Sequence, residues 1–301
     1  MKPFWEENLI LKVRAGSRAY GLETPESDFD SRGICIPPKR ALLGLTGFEQ
    51  HESPGCDHVI YGLPKFVRLA LEGNPNLIET LFTEDILYVN DYGRRLLEQR
   101  QAFLSKNVAD RFGSYALHQL ARIQRHNRWL EGPPGDEPLP SAFEAVRDEK
   151  GQWKFPDPEQ QKAYRHAHRQ WQHYQEWRAG RNPDRARLER EHGYDTKHAM
   201  HLCRLLTMGI EILKTGEVCV RRSDGSWLRS IREGAWSYQR LSEWTVEQRE
   251  RLEAARAMSP LPDQPNREAV EDLQIEILER FHWGLAYSDQ TASSLPEGSA
   301  K

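Results

Sequence analysis

The first part of the chain alternates short apolar runs with turn-forming stretches. The run at 9–13 ends in Ala-Gly-Ser at 15–17, which predicts a strand followed by a tight turn. The stretches 28–36 (DFDSRGICI) and 57–61 (DHVIY) predict two further strands. Strands therefore dominate the chain up to residue 62.

Helical spacing of apolar residues follows these strands. The stretch 63–71 (LPKFVRLAL) carries that spacing, and Pro64 stands near its start, where a missing N–H costs little. Gly-Asn-Pro-Asn at 73–76 ends this helix, and 77–82 begins another. We therefore predict a small α/β unit over residues 1–95.

Strand patterns fade beyond Asn90, where helix-like spacing takes over. Helices are predicted around 93–104, 108–130, 159–179, 195–214 and 265–284. Between them, 131–158 is rich in proline, glycine and acidic residues (EGPPGDEPLP), which predicts an exposed, mobile insertion. The patterns predict an α+β protein with domains at 1–95 and 96–290, and a flexible tail at 291–301.

Composition agrees with this division and limits the function. A chain of 301 residues suits two domains of ordinary size. With 29% charged and 38% hydrophobic residues, it is polar but lacks the signature of disorder. The formal net charge of -3 argues against a protein that coats nucleic acid by bulk electrostatics, so any such contact must be local.

The cysteine pattern indicates the redox state of the cellular compartment in which the protein works. Cys35, Cys56, Cys203 and Cys219 form no C-x-x-C pair, which indicates reduced thiols rather than a zinc site or a disulfide framework. The chain has no run of about 18 uncharged apolar residues, and its first residues lack the pattern of an export signal. We expect a cytoplasmic protein without a membrane span.

The most specific feature is Gly16-Ser17 followed by Asp28-Phe29-Asp30. On an extended strand, residues i and i+2 point to one face, so the two aspartates would lie side by side while Phe29 packs behind them. Paired carboxylates are typical ligands of Mg²⁺, which also binds substrate phosphates. The glycine would let the backbone approach a triphosphate, and the Ser17 hydroxyl would add a donor.

Each half of this feature has an ordinary alternative. Gly-Ser is also a common strand-ending turn, and S-D-F-D is also a common acidic turn. The two halves together, after one predicted strand and on another, favour a nucleotide and metal site. Arg18 would add positive charge next to the phosphates.

The segment GSRAYGLETPESDFDSRGICIPP resembles the signature of the DNA polymerase β superfamily of nucleotidyltransferases, in its RNA-repair-associated RlaP type. Two later segments, LPKFVRLALEGNPNLIETLF and GYDTKHAMHLCRLLTMGIEIL, resemble that family's other recurrent blocks in the same order. The resemblance implies a minimal palm, a short mixed sheet with helices, at 1–95, followed by a mainly helical domain. It also implies two-metal nucleotidyl transfer.

Within that resemblance, Gly16, Ser17, Asp28 and Asp30 match the family's motif. The family pattern also implies a third metal-binding carboxylate on a neighbouring strand. Asp57, at the head of DHVIY, is the best-placed acid. Its spacing is not diagnostic, and Glu52 and Glu79 remain alternatives.

A well-marked helix lies at 195–214, with an N-cap at its start and Gly216 just past its end. Lys197, His201 and Arg204 share one face of it. As a row of cations near a helix N-terminus, they would bind the β- and γ-phosphates of a nucleotide. The alternative is a solvated helix face.

The stretch 160–190 is both basic and aromatic. Lys and Arg outnumber Asp and Glu there and alternate with Tyr, His and Trp, a mixture that can bind RNA phosphates and stack bases. The alternative is core packing, since Tyr164, Trp171 and Tyr174 lie near one helical stripe. The histidines lack the i, i+4 spacing of paired zinc ligands on a helix.

These observations predict a nucleotidyltransferase that moves a nucleoside monophosphate from an NTP, with ATP favoured, to an acceptor hydroxyl and releases pyrophosphate. The expected cofactor is two Mg²⁺ ions, which Mn²⁺ can replace, and the expected acceptor is RNA. The alternatives are nucleotidylation of a protein or small molecule, and an inactive NTP- or RNA-binding regulatory module. The sequence carries no indication of an oligomeric state.

Overall fold

The computed structural model describes residues 2–25, 27–53, 57–181 and 183–284. The chain divides into two compact units. The sheet unit comprises Met1–Arg111, Glu211–Ser223 and Ala255–Lys301, and the helical unit comprises Phe112–Ile210 and Asp224–Ala254. The predicted α+β class is confirmed.

A mixed five-stranded sheet forms the core of the sheet unit, in the order β3-β4-β2-β1-β5. Its strands are β1 (Leu9–Arg14), β2 (Ser31–Cys35), β3 (Gln50–Glu52), β4 (His58–Gly62) and β5 (Ile86–Val89). Strands β2 and β4 run parallel, whereas the other neighbours are antiparallel. The three predicted strands are confirmed as β1, β2 and β4, although β2 begins after the two aspartates rather than at residue 28.

The burial of the side chains of each strand agrees with its central or edge position in the sheet. Strand β1 lies between two neighbours, and its Ile10, Leu11 and Val13 are fully buried. The two strands that were not predicted are edge strands. Strand β3 is short and polar, and β5 leaves Ile86 and Tyr88 exposed, so neither carries the buried apolar pattern on which strand prediction depends.

Short helices surround this sheet: α1 (Phe4–Glu7), α2 (Gly16–Tyr20), α3 (Lys39–Leu43), α4 (Leu63–Leu71), α5 (Pro75–Phe82) and α6 (Asp91–Glu98). A 3-10 turn (Arg100–Phe103) follows α6. The predicted helices at 63–71 and 77–82 are confirmed. Helix α5 begins at Pro75, and the side chain of Asn74 accepts a hydrogen bond from the Asn76 N–H as its cap.

The later helices are α7 (Asn107–Glu131), α8 (Pro158–Ala179), α9 (Pro183–His192), α10 (Thr196–Thr215), α11 (Gly225–Arg232), α12 (Tyr238–Ala257) and α13 (Arg267–Trp283). The predicted helices at 108–130, 159–179, 195–214 and 265–284 are confirmed. Helices α9, α11 and α12 were not predicted, because charged residues interrupt their apolar spacing.

The insertion at 131–158 has little regular structure. It contains a 3-10 turn (Pro140–Phe143) and a small hairpin of β6 (Val146–Arg147) and β7 (Trp153–Lys154). Leu139 and Val146 are exposed, which confirms the predicted exposure, while the mobility of this segment stays a prediction. The predicted tail at 291–301 lies outside the described residues. Within the described chain, no helix is long and apolar enough to cross a membrane.

The two units do not follow the predicted division after residue 95, because a late helix packs with the sheet unit. Arg95 donates hydrogen bonds to both carboxylate oxygens of Glu276 on α13, at 3.0 Å from Nε to Oε1. His282 Nε2 donates to the Pro37 carbonyl at 3.0 Å. Such contacts join residues far apart in the sequence, which local patterns cannot reveal.

A buried hydrogen bond joins helices α2 and α5. The Tyr20 hydroxyl donates to Glu79 Oε2 at 2.6 Å, and both side chains are buried. Burial of a carboxylate is costly unless polar groups surround it. This hydrogen bond therefore stabilises the helix that follows the first strand.

We predict that Tyr20→Phe lowers the free energy of unfolding by about 1–3 kcal/mol, because the buried carboxylate loses a donor. The measurement is urea denaturation of the full chain. The control is Tyr88→Phe, since Tyr88 lies exposed on the edge strand β5. Equal stability of the two variants would contradict the structural role assigned to this hydrogen bond.

Candidate functional site

The end of β1 and the starts of β2 and β4 meet at one edge of the sheet. Arg14 lies opposite Ser31 in the antiparallel pair, and Ser31 lies opposite His58 in the parallel pair. Backbone hydrogen bonding continues beyond the strands, since the Ser31 N–H donates to the Asp57 carbonyl at 3.1 Å. Asp30 and Asp57, each one residue before its strand, are thereby brought to the same edge.

Asp85 reaches this edge from the other side of β1. The Arg14 N–H donates to the Asp85 carbonyl at 2.9 Å, and the Arg14 guanidinium pairs with the Asp85 carboxylate at 2.7 Å. We call Asp28, Asp30, Asp57 and Asp85 the acidic edge. Like charges grouped in this way repel one another, and a bound cation would relieve that repulsion.

Gly16 and Asp30 are in direct contact. The Ala15 N–H donates to the Asp30 carbonyl at 3.0 Å, which fixes the turn beside the acidic segment. Gly16 has a φ of 64°, in the left-handed region, and a Cβ built there would collide with Asp30 Oδ2. Only glycine therefore meets both the backbone and the space requirement at this position. The positions of the Gly16 turn and of the Asp30 carboxylate therefore depend on each other.

Asp28 and Phe29 lie in an extended segment before β2 and not within the strand. Asp28 is exposed, and within the described residues its carboxylate has no ion-pair partner. Phe29 was predicted to pack behind the aspartates, which is wrong, because its side chain is 44% exposed. Its ring lies 4.9 Å from the Arg14 guanidinium and 5.8 Å from the His58 ring instead.

Arg18 holds the acidic segment in place. Its guanidinium donates to the Ser27 carbonyl at 2.9 Å and to the Asp28 carbonyl at 3.3 Å. These bonds restrain the backbone that carries Asp28. The Ser17 hydroxyl makes no hydrogen bond to the described residues, which leaves it available to a ligand. Nucleotide contacts by Ser17 and Arg18 stay predictions.

Asp57 is bound by Arg32. The guanidinium donates to Asp57 Oδ2 and to the Asp57 carbonyl, each at 2.8 Å, and to the Ser31 carbonyl at 3.0 Å. Burial lowers the pKa of Arg32, but the hydrogen bond and charge of Asp57 outweigh it and the pKa is raised. A metal ion at Asp57 would have to share this carboxylate with Arg32.

The two alternatives for a third carboxylate have other surroundings. Glu79 is buried on helix α5 and accepts a hydrogen bond from the Tyr20 hydroxyl. Glu52 lies on β3, opposite Val59, so β4 separates it from β2. Asp57 is the one of the three that directly precedes a strand next to β2. The sheet topology therefore favours Asp57, and its metal binding stays a prediction.

Sequence patterns did not indicate two other polar contacts at this edge. Ser31 Oγ and His58 Nδ1 are 2.9 Å apart and join β2 to β4 beside the aspartates. Arg14 and Asp85 pair across the end of β1. Arg14, Ser31 and His58 lie in or beside predicted strands, whereas Asp85 lies beside none. The strand register that brings these residues together is not visible in the sequence.

Lys197, His201 and Arg204 lie on helix α10 of the helical unit. The Asp195 side chain caps this helix by accepting from the His198 N–H at 3.0 Å. The face is not a solvated one, because Arg204 is only 4% exposed.

The predicted row of cations on this helix also needs correction. Desolvation, together with the charges of Arg204 and Lys197, lowers the pKa of His201 well below its usual value, so this imidazole is neutral. Phosphate contacts by these residues stay a prediction.

The described cysteines do not suggest nucleophilic catalysis. Burial raises the pKa of Cys35 to about 12 and also raises the pKa of Cys203. Such thiols are inert at neutral pH. Cys219 is exposed, and Cys56 lies outside the described residues.

Among the described residues, His126, Glu189 and Asp195 form the only group of three His, Cys, Asp or Glu side chains with ligand atoms within 4.8 Å of one another, so metal binding by the acids of the acidic edge stays a prediction. Carboxylate oxygens are the ligands that Mg²⁺ and Mn²⁺ prefer, and the exposed position of Asp28 leaves room for a phosphorylated substrate. Asp28 and Asp30 would hold the ion, with Asp57 as a third ligand. The absence of a side chain at Gly16 keeps the backbone beside Asp30 open to a ligand.

Comparison with protein families confirms the resemblance seen in the sequence. Residues 3–132 match the family model RlaP, described as the RNA repair pathway DNA polymerase beta family. The match includes Gly16, Ser17 and the whole acidic edge. It ends within helix α7 and leaves the rest of the helical unit unassigned.

Two curated proteins are also similar to this chain. One is the uncharacterized 38.9 kDa protein of the nrdC-mobD intergenic region of Enterobacteria phage T4. It is 25% identical over 300 residues, covering 82% of this chain and 89% of the phage protein. The other is the uncharacterized protein MJ0002 of Methanocaldococcus jannaschii, 32% identical over 90 residues, or 28% of this chain and 37% of that protein. Neither description names an activity.

We predict that Gly16→Ala reduces kcat/KM for nucleotidyl transfer at least about tenfold, because the new Cβ displaces the Asp30 carboxylate. The strained backbone should also cost about 1–2 kcal/mol of stability. Steady-state kinetics with varied NTP and varied Mn²⁺ check this, and both half-saturation concentrations should rise.

The matched control is Gly47→Ala, since no atom lies within 4 Å of a Cβ at Gly47 and its φ is not positive. It should behave like the wild type. If the Gly16→Ala variant kept the metal and NTP dependence of the wild type, the turn would have only a structural role.

Proposed function

We propose, from the match of residues 3–132 to the polymerase β family of the RNA repair pathway, that this chain is a metal-dependent nucleotidyltransferase. It moves a nucleoside monophosphate from an NTP, with ATP favoured, to a hydroxyl group of RNA and releases pyrophosphate. The observation that carries the proposal is the contact of the Asp30 carboxylate with the Gly16 turn. This contact joins a nucleotide-binding element to a metal ligand.

The Gly16-Ser17 turn binds the triphosphate in this proposal. No side chain at Gly16 blocks approach to the backbone, and the hydroxyl of Ser17 can donate to a phosphate oxygen. Arg18 keeps the segment with Asp28 next to the turn through its two backbone hydrogen bonds. The nucleotide is thereby oriented by groups that are already in place, which lowers the entropic cost of the reaction.

Asp28 and Asp30 are the proposed ligands of Mg²⁺ or Mn²⁺, and Asp57 is the proposed third carboxylate. When bound, such ions supply charge neutralisation of the triphosphate and of the leaving pyrophosphate. Arg32 holds the Asp57 carboxylate in position through a hydrogen bond to its Oδ2. Arg14 holds the Asp85 carboxylate in the same way at the far end of the acidic edge.

RNA is the proposed acceptor because the matched family is described by the RNA repair pathway. An acidic edge repels the phosphates of RNA, so cations on the enzyme or bound metal must offset that repulsion. A reducing cytoplasm remains the proposed compartment, on the basis of the cysteine pattern.

We predict that Asp28→Asn and Asp30→Asn each reduce transfer at least about a hundredfold, since each removes a charged metal ligand and keeps the side-chain size. The assay incubates the full chain with each α-labelled NTP, Mg²⁺ or Mn²⁺, and an RNA with a free 3′ hydroxyl. The control is Asp91→Asn, because the Asp91 side chain is 99% exposed and lies outside the acidic edge.

The acceptor is identified by the labelled product of the same assay. Label in RNA supports the proposal. Label in protein or in a small molecule would show that the acceptor is not RNA, although the reaction would still be nucleotidyl transfer. Absence of label with every NTP, or full activity of Asp28→Asn, would contradict a transferase centred on the acidic edge.

We predict that Asp57→Asn also reduces transfer at least about tenfold with little change in stability, because Asp57 is exposed and Arg32 keeps its hydrogen bonds to the Ser31 and Asp57 carbonyls. Glu79→Gln should instead change the free energy of unfolding more than it changes kcat. Kinetics and urea denaturation of both variants separate the two. The opposite pattern would make Glu79 the third metal ligand.

A further inference from the structure

The helical unit contains a cavity of about 450 Å³ that is separate in its residues from the acidic edge. Helices α7, α8, α9 and the start of α10 contribute its walls. Its lining includes Arg122, Arg125, Trp129, Trp177, Arg181 and His198. The volume lies within the range of about 300–1,000 Å³ that is typical of ligand pockets. We call it the arginine cavity.

Buried carboxylates in this cavity are already paired. Glu189 pairs with Arg181 and, at 3.3 Å, with His126. Burial raises the pKa of Glu189, but His126 and Arg181 outweigh it, so the pKa is lowered and the carboxylate stays charged. Asp195 caps helix α10 and pairs with Arg185 at 3.3 Å.

Three buried side-chain atoms of the lining make no hydrogen bond or ion pair within the described chain, and all three are nitrogen atoms: Nε of Arg125, Nε of Arg181 and Nδ1 of His198. Arg185 donates to His198 Nε2, so the proton of this neutral ring lies on Nδ1. His198 is 3% exposed. The buried wall therefore has surplus donors, which an acceptor-rich ligand such as an oxyanion would satisfy.

Two of the arginines are held against indole rings. The guanidinium of Arg125 lies 5.4 Å from the centre of the Trp129 ring, and that of Arg181 lies 4.7 Å from the centre of the Trp177 ring. Stacking uses the flat face of a guanidinium and leaves its in-plane N–H groups for a ligand. An arginine fixed in this way loses less entropy when it binds a phosphate.

The lining contains four arginines and three carboxylates, those of Glu176, Glu189 and Asp195, so the arginines are in slight excess. Within the described residues, neither Arg122 nor Arg125 has a carboxylate at ion-pair distance, whereas Arg181 and Arg185 do. The pKa of His198 is lowered to about 4 by burial; Asp195 opposes this shift, and the charges of Arg185 and Arg122 add to it. The ring of His198 is therefore neutral at neutral pH, and its Nδ1–H can donate to an acceptor.

We propose that the arginine cavity binds a nucleoside phosphate, as a free nucleotide or as the phosphorylated end of an RNA. The arginines and His198 bind the phosphate, and the indole rings with their stacked guanidinium groups provide flat surfaces for the base. This site needs no metal ion and does not depend on transfer at the acidic edge.

A metal ion is the less favourable occupant. Ligand atoms of His126, Glu189 and Asp195 lie within 4.8 Å of one another. Both carboxylates are, however, already bound by arginines, whose positive charges oppose a cation. A ligand that bears negative charge avoids this repulsion.

The test uses the full chain carrying Asp30→Asn, in EDTA, so that metal-dependent binding at the acidic edge is removed. Fluorescence anisotropy measures binding of a labelled RNA decamer with a 5′ phosphate and of the same decamer with a 5′ hydroxyl. Calorimetry measures binding of AMP and of inorganic phosphate. The variants are Arg122→Gln and Arg125→Gln, and the control is Arg128→Gln, an exposed residue on the same helix α7 that does not line the cavity.

Each cavity variant is expected to weaken binding of the phosphorylated ligands about tenfold, the effect of one charged hydrogen bond, and Arg128→Gln less than about twofold. AMP binding without RNA preference identifies a free nucleotide, and preference for the 5′-phosphorylated decamer identifies an RNA end. Three results would overturn the proposal. The first is an equal effect of all three substitutions, the second is equal binding of both decamers without AMP binding, and the third is no binding of any ligand in EDTA. Transfer activity is not part of this readout, so failure of either proposal leaves the other intact.

Discussion

The contact between the Asp30 carboxylate and the backbone of Gly16 is the constraint on which the candidate site depends. It requires a position with a positive φ and no side chain, directly after a buried strand. The antiparallel pairing of β1 with β2 brings the turn to Asp30, and the parallel pairing of β2 with β4 brings Asp57 alongside. A nucleotide and a cation can therefore share one edge of the sheet.

Three arginines contact the segments that carry the acidic edge. Arg32 pairs with Asp57, Arg14 pairs with Asp85, and Arg18 donates to the backbone carbonyls of Ser27 and Asp28. Each interaction offsets part of the repulsion among the grouped carboxylates and limits their movement. In the proposed function, this restraint orients charged groups before the reaction.

Local patterns were sufficient for the elements that have buried apolar runs and clear caps, such as β1 and helix α10. They failed where the structure depends on contacts between distant residues. The pairing of Arg95 with Glu276, which brings helix α13 to the sheet unit, has no local sign in the sequence. Phe29 is exposed although it is aromatic, and His201 is neutral because burial and its cationic neighbours lower its pKa. Both properties depend on tertiary surroundings.

The central claim is that Asp28 and Asp30 bind a divalent cation together with a nucleotide. Electron paramagnetic resonance of Mn²⁺ tests it directly, by counting free and bound ions with a non-hydrolysable NTP analogue present. The account predicts nucleotide-dependent binding by the wild-type chain and its loss in both Asp28→Asn and Asp30→Asn. Unchanged Mn²⁺ binding in these two variants would contradict the account.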